Sequence, residues 1–152
     1  MKKMKQLSEH FRLEEFTDSA TADKLGIKNE PNPEQAANIA RLVKDILQPA
    51  RDMLNMPITV SSGFRSAELN KALPDASATS QHCKGEAADL DCADNAALFK
   101  IINDNFVFDQ LIWEFGDGNQ PDWVHVSLKE YGNRNEVRKT VKVNGETKYL
   151  KL

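Results

Sequence analysis

From Asn32 onward the apolar positions Ala36, Ile39, Ala40, Val43, Ile46 and Leu47 recur at intervals of three and four, one face of a helix. The pair Asn32-Pro33, followed by Glu34, predicts where that helix begins. Pro49 predicts a bend or a stop, with Arg51 to Leu54 as a further turn before Pro57. Upstream, Leu13 to Phe16 reads as a short helix ending near Thr17-Asp18-Ser19, which also caps another turn through Ala22 to Leu25. Beyond Pro57 the pattern changes: ITVSSGFR is β-branched and then punctuated by glycine, a strand from Ile58 to Ser61 ending in a turn at Ser62-Gly63. SAELNKAL reads as a short helix and Pro74 to Ser80 as a polar loop. Strands are expected at Ala87 to Cys92, Gln110 to Phe115 and Trp123 to Leu128, with NAALFKIINDN a helix between the first two. The tail alternates on both sides of Asn144-Gly145, a hairpin signal. Helices first, strands later and hairpin connections predict an α+β fold in which N-terminal helices pack on a mainly antiparallel sheet.

No repeat or linker breaks the 152 residues, so one domain is expected: 1–56 mainly helical, 57–128 an α+β core, 129–152 a basic hairpin tail. That tail carries seven Lys or Arg against three Glu, and reads as a solvated face or, as the alternative, a contact for an anionic polymer. The whole chain, with 40% hydrophobic and 28% charged residues, has a globular composition, and no apolar run approaches the ~20 residues of a membrane span. A net charge of −3 argues against nucleic acid as a partner. Cys83 and Cys92 are expected as free thiols; Cys83, beside a histidine, is a weak candidate ligand. The self-association state is open, with a monomer the expectation.

Three histidines allow any histidine site to be enumerated: His10, His82 and His125. His10 has no acidic or Cys partner at ligand spacing and is set aside. His82 closes a polar loop, Asp89 lies seven residues on in a strand, and Gly85 permits the turn between them. In DWVHVSL, Val124, Val126 and Leu128 face a core while Trp123, His125 and Ser127 face the other way, as the floor of a cleft. If the strands of Asp89 and His125 are neighbours, a loop His, a strand Asp and a strand His converge as a catalytic-type zinc site with one open position. Zinc hydrolysis also needs a base and a cation. Asp122 and Glu114 compete for the first role, and Arg65, in SSGFRS, suits a substrate carboxylate.

Ser80, His82, Gly85, Ala87 and Asp89 fit the pattern S-x-H-x-x-G-x-A-x-D, and Asp122-Trp123-Val124-His125 fits the acid-x-x-His pattern that follows it. On these motifs the chain resembles the zinc D-alanyl-D-alanine carboxypeptidases and dipeptidases and the related L-alanyl-D-glutamate endolysins of phages. SSGFRS is similar to the family's SGYRS segment, and LSEHFRLEEFTDSATADKLGIKNEP with LQPARDML resembles its small single-domain phage and prophage branch. The resemblance covers the chain to about Leu128.

It implies a hedgehog/D-Ala-D-Ala-peptidase-like fold with a single zinc ion held by His82, Asp89 and His125, Asp122 as base and Arg65 as carboxylate anchor. Asp122 stands where better-known members often carry Glu, and that position varies in the small branch, so Glu114 stays open as the base; Gln120 stands where some carry a further His, which leaves oxyanion stabilisation to zinc and Arg65 or, more weakly, Gln120. The implied substrate is a peptidoglycan stem peptide. A non-catalytic zinc-bound wall-binding or virion module of the same fold is the alternative. MKKMKQLSEHFRLEEF contains no secretory apolar segment, so synthesis in the cytoplasm is expected, with the wall reached by release, through a pore or in a virion.

Overall fold

The Asn32 side chain accepts from the Gln35 amide at 2.8 Å while the Gln35 side chain accepts from the Asn32 amide at 2.9 Å, a reciprocal cap that starts the longest helical stretch. In the computed structural model, which describes residues 5–74, 77 and 79–152, this stretch comprises α3 (Pro33–Leu42), a π-helical segment (Val43–Leu47) and α4 (Gln48–Leu54). The expected stop at Pro49 does not occur. The Gln48 amide donates to the Val43 carbonyl, five residues back, so the bonding pattern changes register just where proline lacks a donor. The helix ends instead at Asn55, in the left-handed region with φ 56°. Ile39, Leu42, Val43, Ile46, Leu47 and Ala50 are all at most 1% exposed, the predicted stripe extended by one turn. At about 1.5–3 kcal/mol for each large aliphatic residue, that stripe is the main hydrophobic contribution of the N-terminal half.

Before it, α1 (Leu13–Thr17) and α2 (Ala20–Leu25) are the two expected short helices, with Ser19 capping the second through the Ala22 amide. After it come β1 (Thr59–Ser62), α5 (Ala67–Ala72), a 3-10 turn (Gln81–Lys84), β2 (Ala87–Asp91), α6 (Asn95–Asn105), β3 (Gln110–Glu114) and β4 (Trp123–Ser127). A terminal hairpin, β5 (Glu136–Val143) and β6 (Glu146–Lys151), turns on Asn144 and Gly145, both at positive φ. Of the expected polar loop from Pro74 to Ser80, positions 75, 76 and 78 lie outside the described residues, as does the segment 1–4.

The six strands form one sheet in the order β1-β2-β4-β3-β5-β6. Every pairing is antiparallel except β3 with β5. Asp109, fully buried at the foot of β3, accepts from the Arg134 amide at 3.1 Å, Nε at 3.0 Å and Nη2 at 2.8 Å. The chain leaving β4 is thereby brought back to the foot of β3, so β5 starts beside it and runs the same way.

The register decides the two faces. Ala88, Leu90, Leu111, Val124 and Val126 are buried in the core that the long helix and α6 also enter. On the opposite face Asp89 pairs with His125, His125 with Ile112, and Ile112 with Arg138. A second row on that face runs Trp123, Glu114, Thr140, Tyr149. The sheet is therefore apolar toward the helices and polar toward an open cleft.

Candidate metal centre

His82 sits on the 3-10 turn, whose first hydrogen bond is made by Ser80: its hydroxyl accepts from the His82 amide at 3.2 Å. Gly85 ends the turn at φ +76°, and a Cβ there would also strike the Gln35 carbonyl of α3. Two constraints thus meet on one glycine, the turn expected from sequence and a close helix contact that was not. The His82 ring is 3% exposed, and its Nδ1 faces the Gly63 carbonyl at 2.7 Å. A carbonyl only accepts, so Nδ1 carries the proton and Nε2 presents a bare lone pair to the cleft.

That lone pair points toward Asp89, whose Oδ2 lies 3.5 Å from His82 Nε2 and whose Oδ1 lies 2.9 Å from His125 Nδ1. The two imidazole rings stand 5.2 Å apart. One ligand atom from each of the three residues falls within 4.8 Å of the others. Burial alone would push the Asp89 carboxyl up, but the two histidines overturn this and hold it well below the usual carboxylate range. Burial pushes His82 down, against the pull of Asp89. Asp89 and His82 are therefore biased toward the deprotonated forms in which they ligate a metal. Two imidazole nitrogens and a carboxylate oxygen are donors that zinc accepts, and they leave the cleft side of the cluster free.

The cluster opens into a cavity of about 930 Å³, near the upper end of the ~300–1,000 Å³ usual for ligand pockets. Arg65 lines one side. Its Nη2 reaches the Ser80 hydroxyl at 3.4 Å, its buried Nε has no partner, and among the described residues no carboxylate pairs with it. Glu114 lines the floor, 8% exposed, its carboxyl pushed up chiefly by burial. Asp122 is elsewhere: it is exposed and lines a neighbouring cavity with Gly116, Val141 and Lys142. Asp122 lies in the bend before β4, so the alternation that turns Trp123, His125 and Ser127 to one face does not extend to it. Gln120 is also engaged away from the cleft: its Oε1 accepts from the Ala96 amide and its Nε2 donates to Asp94. Cys83 takes no part in the cluster.

Three supporting residues escaped the sequence reading. Gly63 orients His82, and a Cβ there would lie 2.6 Å from the Phe16 Cα and 2.7 Å from its carbonyl oxygen. Asn29 donates to the Thr17 and Phe64 carbonyls at 2.9 Å each and accepts from the Ser66 amide at 2.7 Å, which fixes the segment bearing Arg65. Asn95 links Asp91, Cys92, Pro121 and Asp122, tying the end of β2 to the start of β4. Glycine and asparagine in turns are too common for any of these to signal a role by type alone.

His10 has acidic neighbours after all: Glu9 at 4.0 Å and Asp52, supplied by α4, at 3.9 Å. All three residues are exposed, and the His10 Nδ1 is taken by the Gln48 side chain at 2.8 Å.

A family model described as Peptidase M15 matches residues 9–127, well over half of the chain and both motif segments. No curated protein matches the sequence.

Proposed function

The chain belongs to the M15 family of peptidases, and from that premise we propose that it is a zinc-dependent hydrolase of peptidoglycan stem peptides. It acts as a D-Ala-D-Ala carboxypeptidase or stem-peptide endopeptidase in the manner of the small phage and prophage enzymes. What supports the reading is one arrangement: the His82, Asp89 and His125 donors converge on a cleft that also holds a buried Glu114 and an Arg65 that pairs with no carboxylate among the described residues.

His82, Asp89 and His125 would hold the zinc, which when bound would supply Lewis acidity toward a carbonyl and a water. Arg65 takes a carboxylate of the stem peptide in a charge-assisted pair. Glu114 accepts the proton of the attacking water and passes it to the departing amine as the C–N bond breaks. A carboxyl already pushed up by burial holds that proton between the two steps. Asp122, which the motif offers for this role, faces the other cavity. The protein meets its substrate at the cell wall, reached on lysis, through a pore or in a virion.

The test is release of amine from purified peptidoglycan and from the pentapeptide L-Ala-γ-D-Glu-L-Lys-D-Ala-D-Ala by zinc-loaded protein, chelated protein, Glu114→Gln and Asp122→Asn. Activity that is lost with chelator and in Glu114→Gln, and kept in Asp122→Asn, is expected. Zinc binding with no product from either substrate would leave a non-catalytic wall-binding module instead. Loss in Asp122→Asn alone would return the base to the motif position.

A further inference from the structure

Every residue of β6 is exposed, so the strand contributes nothing to the core, yet Thr147 and Tyr149 line the same cavity as the metal cluster. Strand order explains how. Arg65 follows β1 at one edge, the ligands Asp89 and His125 sit on β2 and β4, Glu114 on β3, and Tyr149 on β6 at the far edge. Thr140, buried, stands between Glu114 and Tyr149 in a single cross-strand row. A peptide with a carboxylate on Arg65 that crosses the metal ligands must continue over β3 and β5 toward β6.

Resting on the peptidase reading above, we propose that the β5–β6 hairpin is a substrate-binding wall and that Tyr149 is a positioning residue for the acyl side of the stem peptide, opposite Arg65. The family match ends at residue 127, so this wall is built by chain beyond it. From β2 to β6 is four inter-strand steps, at most about 19 Å along a flat sheet. At ~3.3 Å per extended residue that path is filled by a peptide of about three to five residues once the reach of the tyrosine ring is counted, not by a dipeptide. Tyr149 is 62% exposed, open to a ligand. Partial burial first, then the charges of Glu114 and Asp89, push it above its ordinary value, so the hydroxyl remains a donor at neutral pH and is within electrostatic reach of the cluster.

The experiment compares wild type, Tyr149→Ala, Tyr149→Phe and, as a control on an exposed ring outside the cavity, Tyr131→Ala. With the pentapeptide, Tyr149→Ala is expected to raise KM about tenfold with kcat within about twofold, Tyr149→Phe to fall between, and Tyr131→Ala to match wild type. Zinc affinity, read by chelator competition, stays unchanged in all four. Binding of the uncut pentapeptide to the zinc-loaded Glu114→Gln protein, followed by tryptophan fluorescence, is expected to weaken by the same factor when Tyr149→Ala is added. Wild type that binds but does not cut, with binding weakened by Tyr149→Ala, would overturn the peptidase reading and keep the wall. Unchanged KM and unchanged binding in Tyr149→Ala, with zinc bound normally, would overturn the wall itself.

Discussion

The Gly63 carbonyl accepts the Nδ1 proton of His82 at 2.7 Å, and it does so from a position where a side chain would collide with the Phe16 backbone. One glycine therefore sets both how closely the end of β1 approaches α1 and which nitrogen of a candidate ligand faces the cleft.

Gly63→Ala forces the β1 end off Phe16 and takes the carbonyl with it. Loss of such an outer partner typically weakens metal affinity ~10–100-fold, and that range is expected here together with a lower Tm. Gly118→Ala, where an added Cβ meets nothing within 4 Å, is the matched control. Chelator-competition titration with zinc decides it: equal affinities for the two variants would dismiss the role of Gly63.

Glu114→Gln is expected to abolish turnover and, in metal-free protein, to raise Tm at pH 7. The sign follows from the shift: a folded value raised by burial means that the fold disfavours the ionised carboxyl, so its contribution to stability declines as pH rises past the unfolded carboxylate value. A neutral isostere removes that decline, and the gain in Tm should vanish near pH 4. A Tm unchanged or lowered at neutral pH would contradict it.

Arg65→Ala removes a donor fork that lines the cleft. A charged hydrogen bond contributes about 1.5–3 kcal/mol, or roughly 10–150-fold in kcat/KM for a substrate bearing a carboxylate there. Amidation of that carboxylate should cost wild type a similar factor and Arg65→Ala almost nothing. Equal sensitivity of both proteins to amidation would show that Arg65 anchors something else.

Arg134→Ala leaves Asp109 buried without its fork, and should cost about 2 kcal/mol of unfolding free energy at pH 7. Burial pushes Asp109 up, but hydrogen bonds and charge from Arg134 more than offset it and hold the carboxyl below its usual value. A depressed folded value stabilises above the unfolded carboxylate range and is lost as pH falls through the folded one. Urea unfolding at pH 7 and pH 3 should therefore show a smaller difference between the variant and wild type at the lower pH.

Legibility in the sequence followed the physics of each signal. The helix from Asn32 and the alternation in DWVHVSL were readable because periodicity reports which side meets the core. Of the bend or stop read at Pro49 the stop did not hold, because a π segment can absorb a missing donor and nothing in local sequence marks one, while the further turn over Arg51 to Leu54 lies in α4. The parallel pairing of β3 with β5 was hidden because it depends on Asp109 holding Arg134, an ion pair 25 residues apart. The convergence of His82, Asp89 and His125 was conditional on strand adjacency, and the register Asp89 to His125 meets that condition. Asp122 and Glu114 could not be separated by motif, since spacing along the chain does not say which cavity a residue in the bend before β4 lines. The hairpin at Asn144-Gly145 was visible, but its approach to the cleft was not, because sheet order is set by distant pairings.

Asp89 and His125 occupy directly opposed positions on neighbouring antiparallel strands. A slip of one residue between β2 and β4 would turn one of them toward the helices, leaving at most two donors in the cleft. An ion that needs all three thus recognises a single strand alignment and stabilises it by mass action. Metal bound there would serve as a proofreader of the fold as well as a participant in its chemistry, and zinc present during refolding should reduce misaligned chains as well as activate aligned ones.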